Sequence, residues 1–180
     1  MDEQYSHLVK IPHERIAVLI GKNGITKEDL EQSLNCNISV DSKEGDVEVT
    51  SKESYDLLIA KDVVKAIARG FNPDIAKKLV QEDYFLEMIN LNDYNSNKNQ
   101  HKRLKGRVIG REGRSRSLIE EYTGCYISVY GKTIAIIGKG DSVRIAHKAV
   151  DSLLTGSPHA YVYKWLEKEK TNLILRNPGF

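Results

Sequence analysis

Two stretches decide the reading: "RIAVLIGKNGITKEDLEQSLNCNISV" at 15–40 and "LKGRVIGREGRSRSLIEEYTGCYISV" at 104–129. At a constant offset of 89, Gly21 falls on Gly110, Gly24 on Gly113, Leu30 on Ile119, Cys36 on Cys125, Ile38 on Ile127 and Val40 on Val129. Each stretch runs on into a second alternating segment, "GDVEVT" at 45–50 and "KTIAIIG" at 132–138, and then into an amphipathic one. A repeat of this length marks two copies of one structural unit, and it governs how every element is assigned.

Periodicity supplies the elements of the unit. Segments 8–11 and 85–91 read as opening strands. A short helix then ends in Val18-Leu19-Ile20 or Arg107-Val108-Ile109, before a Gly-x-x-Gly turn. Helices are expected over 25–34 and 114–123, and strands over 37–41 and 126–130, each paired with the following run through a tight turn. The closing helices show one apolar face, Tyr55, Ile59, Val63, Ala66 and Ile67 in the first copy and Val143, Ala146, Val150 and Leu153 in the second. Ser51 and Asp141 stand where their N-caps are expected. Only one face of each strand is clearly apolar, so three helices are expected on one face of each three-stranded sheet, an α+β class. The copies are expected at 1–70 and 84–154. A linker with a short helix should fill 71–83, a loop 92–100, a C-terminal helix 155–170 and a frayed tail 171–180.

A chain of 180 residues can hold two such small domains. The net charge of +2 is mild, but its distribution is uneven. From 98 to 116, eight Lys or Arg face a single acid, Glu112, a balance of +7. From 12 to 31, Arg15, Lys22 and Lys27 face Glu14, Glu28, Asp29 and Glu31, a balance of −1. The first segment can attract phosphates or can be a solvated face; charge alone does not choose. With no signal-peptide pattern and no apolar run of about 18 residues, a soluble, cytoplasmic chain with no membrane partner is expected.

The two glycine turns, Gly21-Lys22-Asn23-Gly24 and Gly110-Arg111-Glu112-Gly113, each lead into a helix. Glycines without Cβ let a sugar-phosphate backbone come close to the main chain, and the helix start offers free N–H groups. Alone, such a turn is equally well an ordinary turn. With Val-Ile before it in the second copy, an amphipathic helix after it, and "GCYISV" at a fixed distance, the order strand–helix–Gly-x-x-Gly–helix–strand–strand–helix resembles the KH domain of type I, here in tandem. That family clamps four unpaired nucleotides at the loop and accepts their bases in a groove beside it.

What the resemblance implies can be placed on this chain. In the second copy Lys105, Arg107, Gly110, Arg111, Glu112, Gly113, Arg114 and Arg116 would hold the backbone, and Val108, Ile109, Leu118, Ile119 and Ile127 would form the groove. In the first copy the counterparts are Ile20, Gly21, Lys22, Asn23, Gly24, Lys27, Leu30 and Ile38. Leu30 and Ile119 are better read as core alone. The first copy, acidic at Glu28, Asp29 and Glu31, should bind RNA less tightly.

Four further segments, "RGF" at 69–71, "YFLEMINL" at 84–91, "VIGREGRSRSLIE" at 108–120 and "LLTGSPHAYVY" at 153–163, narrow the resemblance. Together they are similar to the archaeal two-KH ribosome-assembly proteins, the partners of the endonuclease that trims the 3′ end of small-subunit ribosomal RNA. The likeness spans about residues 5–170. It implies a single-stranded RNA-binding factor that holds the rRNA 3′ region in the pre-small subunit and presents it to the nuclease; a monomer is expected.

Other chemistry finds little support. "GKNGITK" and "GREGRSR" lack the Gly-Lys-Ser/Thr ending of a nucleotide loop. The five His are dispersed and the two Cys have no metal spacing, so no catalytic residue, metal or cofactor is expected. His101, in the basic run, could touch phosphate. Cys36 and Cys125 are read as small buried side chains. Trp165 is read as sealing the last helix, while Tyr161 and Tyr163 could offer a partner surface. A protein-interaction scaffold with weakened RNA binding is the alternative, opposed by the intact second loop and its basic surroundings.

Overall fold

The computed structural model describes residues 4–176. They fall into two compact units that divide between Glu82 and Asp83, each considered by itself.

The first unit runs β1 (Tyr5–Lys10), α1 (His13–Ile20), α2 (Ile25–Leu34), β2 (Asn37–Asp41), β3 (Asp46–Ser51), α3 (Ser54–Ala68) and a short α4 (Pro73–Ala76). Its antiparallel sheet has the order β1-β3-β2, with Val9 opposite Val47 on one side and Ile38 opposite Val49 on the other. Val9, Ile38, Val47 and Val49 point under the helices and are buried together with Leu19, Leu30, Val63 and Ile67. Asn35, in the left-handed region at φ 47°, stops α2 and turns the chain into β2. Asp41 Oδ1 accepts from the Lys43 and Glu44 N–H groups and closes the β2–β3 turn.

The second unit repeats the order: β4 (Tyr84–Asn90), α5 (Lys98–Ile109), α6 (Arg114–Thr123), β5 (Tyr126–Tyr130), β6 (Thr133–Lys139), α7 (Gly140–Leu154) and α8 (His159–Arg176). Its sheet has the matching order β4-β6-β5. Ile89, Ile127, Ile134 and Ile136 meet Val108, Ile119, Val150, Leu153, Val162 and Leu166 in one core. Burying each of these large side chains contributes about 1.5–3 kcal/mol. Tandem three-stranded sheets, each covered by three helices, are thus the architecture.

Several expectations need correction. The stretch 71–83 is no free linker for most of its length: Phe71, Ala76 and Leu79 are buried and α4 packs on α3 within the first unit. The Asn-rich stretch 92–100 is largely ordered by its own side chains. Asn90, Asn95 and Asn97 each accept from the N–H two residues on, and Asn97 thereby caps α5, which begins at Lys98. Helix α8 continues past 170 to Arg176 because Leu173 extends the buried stripe of Val162 and Leu166; residues 177–180 lie outside the described residues. Ser51 and Asp141 are not N-caps: Ser51 ends β3, and α3 and α7 start from Glu53 and Lys139 without a side-chain cap. Nor is one face of every strand polar, since Ala135 and Ile137 on β6 are as buried as Ile134 and Ile136.

Candidate nucleic-acid interface

The two glycine loops superimpose in conformation. Gly21 and Gly110 have φ/ψ of 74°/179° and 75°/178°, Asn23 and Glu112 stand at 55°/26° and 53°/28°, and Gly24 and Gly113 are both left-handed. A Cβ on Gly110 would lie 2.6 Å from Ser115 Cβ, and one on Gly21 would lie 2.0 Å from Thr26 Oγ1, so the first glycine of each loop admits no side chain. A Cβ on Gly113 would meet nothing within 4 Å. The second loop thus leaves its far glycine open to a ligand, at the start of α6.

Helix α6 begins without a side-chain cap and without an acid in its first turn. Its terminal N–H groups and dipole can therefore hold an anion, with exposed Glu112, just before the helix, the one acid beside them. Arg111 and Arg114 stand exposed beside it. Inside, Ser115 is buried with its Oγ unpartnered among the described residues.

The first loop differs in charge. Helix α2 carries Glu28 in its first turn, and Glu28 Oε1 lies 3.8 Å from the Cβ position of Gly24. A carboxylate thus stands beside the open face of that glycine. Ile25, 62% exposed, replaces Arg114.

Beside each loop a carboxylate straps the second helix to the edge strand. Glu31 Oε1 accepts from the Ile38 N–H at 2.7 Å, and Glu120 Oε1 accepts from the Ile127 N–H at 2.7 Å. The other side of each strap is a cation, Lys27 at 3.3 Å and Arg116 at 3.5 Å. Ile20, Lys27, Glu31, Ile38 and Val40 line an open groove of about 490 Å³ in the first unit. Ile109, Arg116, Glu120, Ile127 and Val129 occupy the same positions in the second. Glu31 is therefore not a difference between the copies, and Lys27 and Arg116 have partners.

Not every predicted residue reaches this surface. Val108, Leu30 and Ile119 are buried core; Ile38 lines the groove only as its buried floor, with Ile127 as buried at the matching position, while Ile20, Ile109 and Leu118 keep partial exposure. Arg107 points away from the loop. Its Nε donates to Leu153 O and its Nη2 to Ser157 O, both at 2.7 Å, satisfying carbonyls at the end of α7. Lys105 Nζ donates to Gly131 O at 3.1 Å. His101 is buried with Nε2 2.6 Å from Asn95 O and touches no surface. Lys22 and Asn23 are exposed at the first loop.

Sequence reading missed His159, whose Nε2 lies 2.8 Å from Arg107 O at the end of α5. Tyr163 packs edge-on against the His159 ring, so of the predicted partner pair only Tyr161, 69% exposed, is open. Trp165 packs against the core under Lys148, as a seal.

Burial pushes the thiols of Cys36 and Cys125 up to about 11, with Glu31 and Glu120 adding to it, so neither is poised as a nucleophile. Tyr94 is raised too, by burial and by donating to Asp151 Oδ1 at 2.6 Å. Among the described residues no three His, Cys, Asp or Glu converge on a metal site, and no helix is long and apolar enough to cross a membrane.

Comparison with known proteins accords with this geometry. Residues 6–66 match the family described as KH domain, and residues 85–171 the family described as eukaryotic type KH-domain (KH-domain type I). The chain is 48% identical to KH domain-containing protein MJ0443 of Methanocaldococcus jannaschii, over 92% of this chain and 74% of that protein. It is 32% identical to the pre-rRNA-processing protein PNO1 of Debaryomyces hansenii, over 88% of this chain and 64% of that protein. Among solved structures it is similar to the a/eIF2alpha–aDim2p–rRNA complex of Pyrococcus horikoshii. That match has a TM-score of 0.88 at 45% identity and covers 94% of this chain and 96% of the other. With its two KH units and both glycine loops intact, the chain belongs to the Dim2p/PNO1 family of tandem KH-domain proteins.

Proposed function

We propose that this protein is a non-enzymatic RNA-binding factor of small ribosomal subunit biogenesis, working in the cytoplasm as a monomer. It grips single-stranded RNA at the second glycine loop. The observation that carries this reading is the start of α6: uncapped, with no acid in its first turn, next to an open Gly113, and with exposed Arg111 and Arg114 outnumbering exposed Glu112 beside it. Phosphates seated there would place the attached bases over Ile109 and Leu118, in the groove bounded by β5. The likeness to an aDim2p bound to rRNA and a/eIF2alpha supports ribosomal RNA as the ligand and the initiation-factor α-subunit as a partner. The finer reading is that the RNA is the 3′ region of the small-subunit rRNA, held in the pre-small subunit and presented to its maturation endonuclease.

A second role falls to the first unit. Glu28 opposes phosphate there, and exposed Ile25 borders a cleft of about 430 Å³ that also holds Val18, Pro73, Asp29 and Asp74. A cleft in which Val18, Ile25 and Pro73 alternate with Thr26, Asn72 and Asp74, and whose Asp29 is paired with Lys77 at 2.7 Å, favours a protein contact over RNA.

The test compares the full chain with its Arg111→Asp variant for binding to an unpaired oligomer of the small-subunit 3′ end, with a scrambled oligomer and a duplex as controls. Arg111 is exposed, so the variant should fold normally, as circular dichroism would verify. Preference for the 3′-end oligomer, lost in the variant, is the expected result. Equal binding by both proteins would remove the second loop as the site. No preference over the scrambled oligomer would remove the 3′-end assignment.

A further inference from the structure

Helix α5 is one turn longer than its counterpart α1, 12 residues against 8. The longer helix carries charge in an unusual way. The helix has no Asp or Glu in its twelve positions, yet Lys98, Lys102 and Arg103 stand in its first half. Cations there oppose the helix dipole, which favours anions at that end. None of the three has an ion pair or hydrogen bond among the described residues, and all are exposed. The fold gives these charges no internal use.

Their placement is ordered. Lys98, Lys102, Lys105 and Ile109 follow one another at four, three and four residues, which puts them on one stripe of the helix. The stripe ends at Ile109, the groove residue that adjoins Gly110. Its middle is fixed to the β5–β6 turn by the bond from Lys105 Nζ to Gly131 O. That turn is itself pinned by the Leu91 N–H donating to Lys132 O at 2.9 Å, and it exposes Lys132 next to the stripe. The first unit has nothing equivalent: the positions 89 residues earlier than Lys98, Lys102 and Lys105 are Val9, His13 and Ile16.

We propose that Lys98, Lys102 and Lys132, aligned through Lys105 with the second glycine loop, form a phosphate track that continues the RNA site beyond the clamp. The inference rests on the reading of the loop as an RNA clamp and extends it: the ligand is a single strand longer than the four nucleotides a KH groove holds. Flanking nucleotides on the side of α5 are held by their backbone, so the track adds affinity without reading sequence.

The test uses the full chain and a variant carrying Lys98→Gln, Lys102→Gln and Lys132→Gln, which spares every residue of the clamp. Two unpaired RNAs are compared, one of about four nucleotides and one of about twelve, each over a range of salt concentrations. The expected result is equal affinity of both proteins for the short RNA. On the long RNA the variant should bind about tenfold or more weakly, with a salt slope shallower by about 2, since each contact to a single strand contributes about 0.7. The same affinity and slope for the long RNA would overturn the track while leaving the clamp standing. An equal loss on both RNAs would overturn it too, as a general effect of charge. Unchanged long-RNA binding together with lost binding of a polyglutamate peptide would reassign the face to an acidic protein. Failure of the unmodified chain to bind either RNA would overturn the clamp, and the track with it.

Discussion

Arg107, the residue three places before Gly110, donates its Nε proton to Leu153 O at 2.7 Å and so ties the helix entering the glycine loop to the end of α7. The first unit makes the same joint with a different residue. Arg15 Nε donates to Ile67 O at 2.8 Å, and a second guanidinium nitrogen reaches Phe71 O, as that of Arg107 reaches Ser157 O. The two arginines are not equivalent by the offset of 89, which pairs Arg107 with Val18. They differ by one helical turn yet reach carbonyls in the same i, i+4 arrangement. The fold asks for a fork-shaped donor at the C-terminus of its closing helix, and two positions can supply it.

Replacing Arg107 with alanine should therefore act on stability first. Two carbonyls lose a charged donor, each such bond contributing about 1.5–3 kcal/mol, so a loss of roughly 3–6 kcal/mol is expected in urea unfolding. Lysine should not rescue it, because an ammonium cannot span Leu153 and Ser157 as the planar fork does. RNA binding should weaken through a displaced loop, with the salt slope unchanged. A variant of full stability whose slope drops by about 0.7 would instead make Arg107 a phosphate ligand.

Glu28 accounts for the weakness expected of the first loop. Its carboxylate stands at the open glycine, 3.8 Å from the Cβ position of Gly24, where the second copy has Ser117 four residues after Gly113. In a chain whose second loop is disabled by Arg111→Asp, Glu28→Ser should raise residual affinity for unpaired RNA several-fold at low salt, an effect that fades as salt screens it. No gain at low salt would show that shape, and not charge, keeps RNA from the first unit.

Much of this is legible in the sequence. Helices 25–34 and 114–123 and strands 37–41 and 126–130 have the bounds that the repeat indicates, because local chemistry sets them: a Gly-x-x-Gly turn at the start, and Asn35 or Gly124 in a left-handed stop at the end. What remained hidden depends on partners far along the chain. Arg107 looks like another cation of a basic run until its acceptors, 46 and 50 residues later, are seen. Glu31 and Glu120 correspond at the offset of 89, but that each straps its helix to the edge strand, through the Ile38 and Ile127 N–H groups, shows only in the fold. Asn95 and Asn97 look like loop because asparagine favours turns, and here their turns lead into a helix.

The two thiols supply a prediction in pH. Each holds its proton more tightly in the folded chain, at about 11 against 9.0 for an ordinary thiol. Their contribution is whole below pH 9 and is lost as pH rises through the folded value, since the unfolded chain then binds fewer protons. For Cys125, the more deeply enclosed thiol, a separation of that size corresponds to roughly 2–3 kcal/mol, and for Cys36 to less. Unfolding by urea at pH 8 and at pH 10.5 should show a stability drop that is smaller when Cys36 and Cys125 are both alanine. The native chain should also resist thiol reagents at pH 8. A drop of equal size in both proteins would assign the alkaline sensitivity to other groups.

The two glycines of the second loop should separate fold from binding. Alanine at Gly110 places a methyl group 2.6 Å from Ser115 Cβ and 2.8 Å from its backbone N, in a position with φ 75°, so the loop must move. Alanine at Gly113 meets open space and bears only the left-handed strain of φ 76°, about 1 kcal/mol. Gly110→Ala should thus lower the melting temperature and RNA affinity together. Gly113→Ala should melt within a few degrees of the unmodified chain yet bind RNA distinctly less, because its methyl group stands where a sugar-phosphate backbone would approach. Thermal melts beside anisotropy titrations with the same oligomer decide it. If Gly113→Ala binds as the unmodified chain does, the backbone does not come near that glycine, and the anion site must lie further along α6, towards Arg114.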